Sequence, residues 1–134
     1  MAGVQNLNEL LKSMTPECQH GEYVFCSVKN KFSDYEHLQP LACFMEPEGL
    51  TLILPAKAAE KAGLIFDSKF KQITLTVHSS LDAVGLTAAV ASKLASCGIS
   101  ANVVAAYYHD HIFLQTGKAE KALAALRELS AAEK

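Results

Sequence analysis

The seven residues from Gln72 to His78 alternate without a break, with Ile73, Leu75 and Val77 on one side and Thr74, Thr76 and His78 on the other. A period of two marks a half-buried strand. The period then changes. After the polar, glycine-containing run Ser79-Ser80-Leu81-Asp82-Ala83-Val84-Gly85, apolar residues fall at Leu86, Val90 and Leu94. That spacing predicts a helix over 84–97, ending at Gly98. A strand, a short loop and a small-residue helix in this order bring backbone N–H groups, hydroxyls and a helix N-terminus to one spot. Such a spot suits a small anion or an amino-acid carboxylate.

The rest of the second half completes a pattern. Ile99 to Tyr108 reads as a strand, Tyr107 to His111 as a turn, and His111 to Gln115 as the returning strand. Lys118 to Leu129 reads as an amphipathic helix with Ala122, Leu123, Leu126 and Leu129 inward. The order is β-α-β-β-α, the ferredoxin-like sandwich of the α+β class, with helices on one sheet face. The other face, with Thr74, Thr76, His78, Asn102 and Phe113 as its candidates, is expected to be open to water or to a partner.

The first half is altered. Leu7, Leu10, Leu11 and Met14 predict a helix capped by Asn6 and stopped before Pro16. Glu22 to Val28 is a strand by its aromatic and β-branched content. Lys29 to Pro40 reads as a loop. Leu41–Met45 and Leu50–Leu54 read as a hairpin around Glu46-Pro47-Glu48-Gly49. Pro55 opens a short helix that Gly63 stops. This gives αβββα. The expected division is an N-terminal unit over 1–63, a connector over 64–71 and a C-terminal unit over 72–134. Leu50 to Ala62 also parallels His111 to Ala122 with a one-residue gap, an echo that points to duplication.

Composition narrows the functional classes. Of 134 residues half are hydrophobic, and the formal net charge is −2, with Lys and Arg dispersed. No basic tract marks nucleic-acid binding. No apolar run nears the ~20 residues of a membrane span, and residues 1–14 lack the build of a signal peptide. Cys18, Cys26, Cys43 and Cys97 form no C-x-x-C, so free, buried or half-buried thiols in a reducing, cytoplasmic setting are expected.

The β-α-β-β-α order with Leu81-Asp82-Ala83-Val84-Gly85-Leu86 between first strand and first helix resembles the ACT domain, which has a D-x-x-G-type loop there. Gly98-Ile99-Ser100-Ala101-Asn102-Val103 looks like its second strand. Four longer runs are similar to small bacterial proteins built from two tandem ACT-like units: Glu48 to Leu52, Val77 to Leu81, Ala83 to Ala88, and Tyr107 to Phe113. The resemblance spans about residues 21–129. It implies a non-enzymatic regulatory protein that binds a small effector, most naturally an amino acid, without an attached catalytic domain and without a cofactor. A homodimer partner or a regulated protein would go with it. The implied ligand site takes in Ser79, Ser80, Leu81, Asp82, Val84, Gly85 and Leu86 from the loop, Asn102 and Val103 from the second strand, and His109. The Ser79 or Ser80 hydroxyl and loop N–H groups would hold a carboxylate, and Asp82 an ammonium. The competing reading makes Ser80 or Asp82 a helix cap and Gly85 a packing residue.

Other readings stay open. One is a protein-interaction module whose sheet face or edge is the working surface. Another is a metal-dependent enzyme using His78, His109 and His111, if the last two share a strand face; the alternative is a turn with Asp110 at its centre and solvated histidines. Glu46 and Glu48 could act as paired carboxylates but read as turn charges, and Tyr107 and Tyr108 as sheet or interface aromatics.

Overall fold

The computed structural model describes residues 6–77 and 84–132. In chain order the elements are α1 (Leu7–Ser13), β1 (Pro16–Cys18), β2 (Tyr23–Val28), β3 (Ala42–Glu46), β4 (Gly49–Pro55), α2 (Ala56–Lys61), β5 (Phe70–Leu75), α3 (Leu86–Ser96), β6 (Asn102–Ala105), β7 (Asp110–Gln115) and α4 (Ala119–Ala132). They form two compact units. One is split in sequence, taking the chain up to Gln19 together with everything from Lys71 onward; the other is continuous, His20–Phe70.

In the split unit the strands lie in the order β1-β5-β7-β6. The expected β-α-β-β-α order is present as β5, α3, β6, β7 and α4. The fourth strand comes from the start of the chain: β1 pairs antiparallel with β5, Pro16 against Leu75 and Cys18 against Ile73. Helix α1 joins it, so the first helix and strand pack with the C-terminal elements, a different division from 1–63, 64–71 and 72–134. Burial is the reason. Leu10, Leu11 and Met14 enter one core with Ile73, Leu75, Val77, Ile112 and Leu114 from the sheet and Leu86, Val90, Leu94 and Leu126 from α3 and α4. Each such side chain removed from water contributes roughly 1.5–3 kcal/mol, more than a short helix gains by standing alone. Asn6 caps α1 as its sequence predicts, its Oδ1 accepting from the Glu9 N–H at 3.1 Å. At the other end, buried Ser130 of α4 donates to the Met14 carbonyl at 3.1 Å, satisfying an acceptor the helix leaves over.

The continuous unit has the order β3-β4-β2, and Phe70 pairs with Tyr23. Val24, Cys26 and Val28 face Leu50, Leu52, Leu54, Ala56 and Ala59 in a smaller core. The hairpin turns where predicted, with Glu46 opposite Gly49. A Cβ on Gly49 would lie 3.0 Å from the Val28 carbonyl oxygen, which explains a glycine at the start of β4. Between β2 and β3, where the split unit places α3, the chain forms two 3-10 turns, Phe32–Asp34 and Glu36–Leu38.

Three local expectations change. The second strand of the split unit is shorter than 99–108, and Tyr107 and Tyr108 occupy the turn, edge-to-face at 5.1 Å. Asp110 is a strand residue and not a turn residue. On the sheet face expected to meet water or a partner, Thr74 and Phe113 are buried and Asn102 is exposed. Thr74 there is hydrogen-bonded to Gln19 and His111.

Candidate functional site

The loop after β5 begins from Val77, which is buried, and ends at Val84, whose side chain is 83% exposed. Ser79, Ser80, Leu81 and Asp82 lie outside the described residues, as does His78. Gly85 is the N-cap of α3, with φ +103° and no side chain to cap the helix. Left-handed backbone favours glycine. A Cβ here would also come within 3.1 Å of Leu7 Cδ2 in α1. Both facts account for Gly85 by conformation and packing. Leu86 points into the core, so only its backbone N–H is available at the loop.

The turn between β6 and β7 approaches Val77. His109 Nδ1 is 3.4 Å from the carbonyl oxygen of Val77, which puts the imidazole next to the loop's first described residue. Ala105 pairs with Asp110 at this end of the sheet, whereas Asn102 pairs with Phe113, deeper along the strands. Asn102 turns its Nδ2 onto the Phe113 carbonyl at 3.1 Å, and Val103 packs against the core. The structure therefore brings His109 to Val77 and leaves Asn102 and Val103 further along the strands.

Asp110 is the residue that sequence reasoning missed. It alternates with Ile112 and Leu114, which are core residues, so its carboxyl is on the helix-covered side at the loop end. Only 8% of it is exposed. Burial pushes its pKa up, opposed by the charges of His111 and His109. No lysine or arginine contributes. The only signal in the sequence was the strand phase itself, which had to be extended back by one residue from His111.

His111, on the opposite face, closes a buried polar cluster. Its Nδ1 is 3.0 Å from both Gln72 Nε2 and Thr74 Oγ1. Gln19 Nε2 donates to Thr74 Oγ1 at 3.0 Å, and the Gln19 backbone N–H donates to the Gln72 carbonyl at 2.8 Å. With Gln72 Nε2 as the donor, Nδ1 is the acceptor, the arrangement of a neutral imidazole protonated on Nε2. Burial depresses the His111 pKa in agreement. Among the described residues no buried side-chain polar atom lacks a partner.

The remaining candidates are placed as follows. His111 commits its Nδ1 to the cluster, and no group of three or more His, Cys, Asp or Glu among the described residues is arranged to hold a metal ion. Glu46 and Glu48 are exposed turn residues, and Glu46 accepts from the Thr51 hydroxyl. All four cysteines are free; Cys18 and Cys43 are exposed, contrary to the expectation of shielded thiols, and Cys26 is buried. Burial raises the Cys26 thiol pKa, which lowers its reactivity. No helix of the described residues is long and apolar enough to cross a membrane.

Comparison with known proteins gives this geometry a lineage. Two ACT-domain models match, one over residues 2–71 and the other over residues 67–128. They meet beside Phe70, where the compact units also divide, although α1 and β1 fall in the first match by sequence and in the split unit by packing. No match was found among curated proteins. A Vibrio cholerae protein of unknown function, described as a possible transport protein, is 58% identical over 96% of this chain and 99% of its own, with a TM-score of 0.86. The regulatory subunit of aspartate kinase from Thermus thermophilus, in ligand-free form, has a TM-score of 0.61 at 10% identity, covering 88% of this chain and 99% of that one. Escherichia coli aspartokinase III in complex with aspartate and ADP has a TM-score of 0.65 at 9% identity, over 85% of this chain and 32% of that one. The last two share the fold. ACT domains are regulatory modules that typically bind small-molecule effectors. This chain belongs to the ACT-domain family and carries two ACT domains in tandem.

Proposed function

We propose that the protein is a non-enzymatic regulator that binds an amino acid at the loop between β5 and α3. The observation that carries the reading is the start of α3 at a left-handed glycine without a side-chain cap. The first-turn N–H groups of a helix favour an anion, and an amino-acid carboxylate supplies one. Asp110, buried at the same end of the sheet without a fixed cation, offers a counter-charge for the ammonium. Ser79 or Ser80 would add a hydroxyl and Asp82 a second acceptor. His109 would border the ligand through its place beside Val77. Asn102 and Val103 would shape the site only indirectly.

Melting curves against the twenty amino acids test this. A ligand at 100 times its Kd stabilises by ~2.7 kcal/mol, so one or a few related amino acids should raise the melting temperature by several degrees. Asp110→Asn should abolish that rise. Flat curves across the panel at millimolar ligand would overturn the amino-acid reading.

One observation favours a second reading, a protein-interaction surface. Strand β3 is at the edge of its unit's strand order, and Phe44 and Met45 on it are 70% and 86% exposed. Exposed apolar edges invite strand pairing with another chain. A dimer by sedimentation that Phe44→Lys converts to monomer would support this reading, and a monomer at all concentrations would remove its homodimer form.

A further inference from the structure

We infer that the continuous unit carries a second binding site, a cleft for a small anion with an apolar body. Where the split unit has α3, this unit has two 3-10 turns, and the exchange leaves a cleft of about 620 Å³ between the second turn and α2. Ligand pockets typically measure roughly 300–1,000 Å³. The cleft has an apolar wall and a basic rim. Leu38 and Ala58 line it and pack against the unit's core. His37, Lys57 and Lys61 also line it, and no carboxylate does.

The lysines point to the charge of the occupant. Lys57 and Lys61 are four residues apart on α2, so they share a face and repel each other. Neither has an ion-pair partner among the described residues; Glu60, the acid beside them in sequence, is taken by Lys69 at 3.4 Å. An anion between them would relieve the repulsion, whereas a cation would add to it. Gln39, also in the wall, has φ +52° and ψ +58° and is the one non-glycine residue with positive φ among the described residues. It ends the second 3-10 turn, its N–H donating to the Glu36 carbonyl at 3.0 Å, and so fixes the backbone of that wall. The ligand class is a carboxylate or phosphate joined to an apolar group, its head at the lysines and its body against Leu38 and Ala58.

Titration of the full chain, followed by amide NMR shifts, tests the site with phenyl phosphate and benzoate as probes and benzyl alcohol as the neutral control. At least one anion should shift the amides of residues 37–39 and 57–62 saturably, with no matching shifts around Gly85. Response to phenyl phosphate alone assigns a phosphate head, and response to benzoate alone a carboxylate head. The double variant Lys57→Gln with Lys61→Gln changes exposed side chains and should keep the native spectrum while weakening binding about tenfold or more. The site is overturned if neither anion shifts those amides, if benzyl alcohol shifts them equally, or if the double variant binds like the wild type.

Discussion

The two units solve one folding problem with different means. Both read strand, connection, strand, strand, helix. In the split unit the connection is the eleven-residue α3, and α1 and α4 lie over the same sheet face, so the core is deep. In the continuous unit the connection is a pair of 3-10 turns, and one six-residue helix serves the sheet. Its core is smaller and a cleft stands open beside it. A lost helix thus removes burial and creates a cavity in one step. The split unit buries a carboxylate at Asp110, and the continuous unit leaves a cleft beside α2.

Core truncations probe this contrast most strongly. Leu10 and Leu52 are both fully buried leucines, one in each unit. Leu10→Ala should cost about 2–5 kcal/mol, toward the upper end because three helices hold the space open. Leu52→Ala should fall toward the lower end of the same range, since a short helix and turns can settle inward. Denaturant melts give the magnitudes, and hydrogen exchange gives the place. Loss of protection in β5, β7 and α4 on Leu10→Ala supports the packing of α1 with the split unit. Loss confined to β2–β4 would refute it.

Next in size are the left-handed residues. Gly85→Ala forces a side chain into φ +103° and should destabilise by about 1–2 kcal/mol; the contact with Leu7 Cδ2 adds little, because a side-chain tip can move. Gln39→Gly in the other unit reverses the sign. It relieves strain but frees the unfolded chain, so its net gain should stay below about 1 kcal/mol. Equal and opposite effects from thermal melts would mean that Gln39 is strained as heavily as Gly85 would be.

The local parts of both units were legible in the sequence, and the long-range parts were not. The Gln72–His78 alternation, the Asn6 cap and the Glu46–Gly49 turn are short-range signals, and strands, helix and hairpin follow from them. The pairing of β1 with β5 joins distant residues, and nothing in Pro16-Glu17-Cys18 announces it; burial of Leu10 and Leu11 decides it. The polar phase of β5 identified Thr74 correctly as facing away from the helices. Polarity says that a group needs a partner, but not that the partner is water, and Gln19 and His111 take that place. Asp110 was hidden by its neighbours, because a run of His-Asp-His resembles a turn until the strand phase of Ile112 and Leu114 is carried back. Gly85 was found easily, but its left-handed backbone already accounts for a glycine there, and its binding role is a proposal. For the binding role the sequence offered only residues of suitable chemistry.

Titration distinguishes the two faces of the split unit. The native pKa of His111 lies below the ordinary value of about 6.5, chiefly because of burial. The native state then binds fewer protons than the unfolded one as pH falls through that window. Stability should decline from about pH 6.5 downward until the native pKa is passed. Asp110 has the opposite sign. Its native pKa is raised, so stability declines as pH rises from about 3.9 toward that raised value. At neutral pH, Asp110→Asn should therefore stabilise the ligand-free protein, and His111→Gln should flatten the acid limb near pH 6. Melting temperatures against pH for the three proteins check both signs. A destabilised Asp110→Asn at pH 7 would mean that the carboxylate is matched by donors in the native state.

The smallest effects belong to two exposed ion pairs, one taken from each unit. Lys93 and Glu128 join α3 to α4 at 2.7 Å, and Lys69 and Glu60 meet at 3.4 Å. The Glu128 carboxyl pKa is lowered and the Lys93 ammonium pKa raised, each first by the hydrogen bond between them. The lowered Glu128 pKa contributes stability above about pH 4.3 that is lost as pH falls through its native value. The raised Lys93 pKa contributes below about pH 10.4 and is lost as pH rises past its native value. Both pairs are in solvent, where side-chain entropy and salt offset most of the attraction. Lys93→Gln and Glu128→Gln should each barely move the melting temperature. A double-mutant cycle should show coupling for Lys93–Glu128 in low salt, none in 1 M salt, where the screening length is about 3 Å, and none for Lys69–Glu60 in either. Coupling that survives high salt would show that the α3–α4 pair is shielded in solution, and the split unit would then be held together by more than its apolar core.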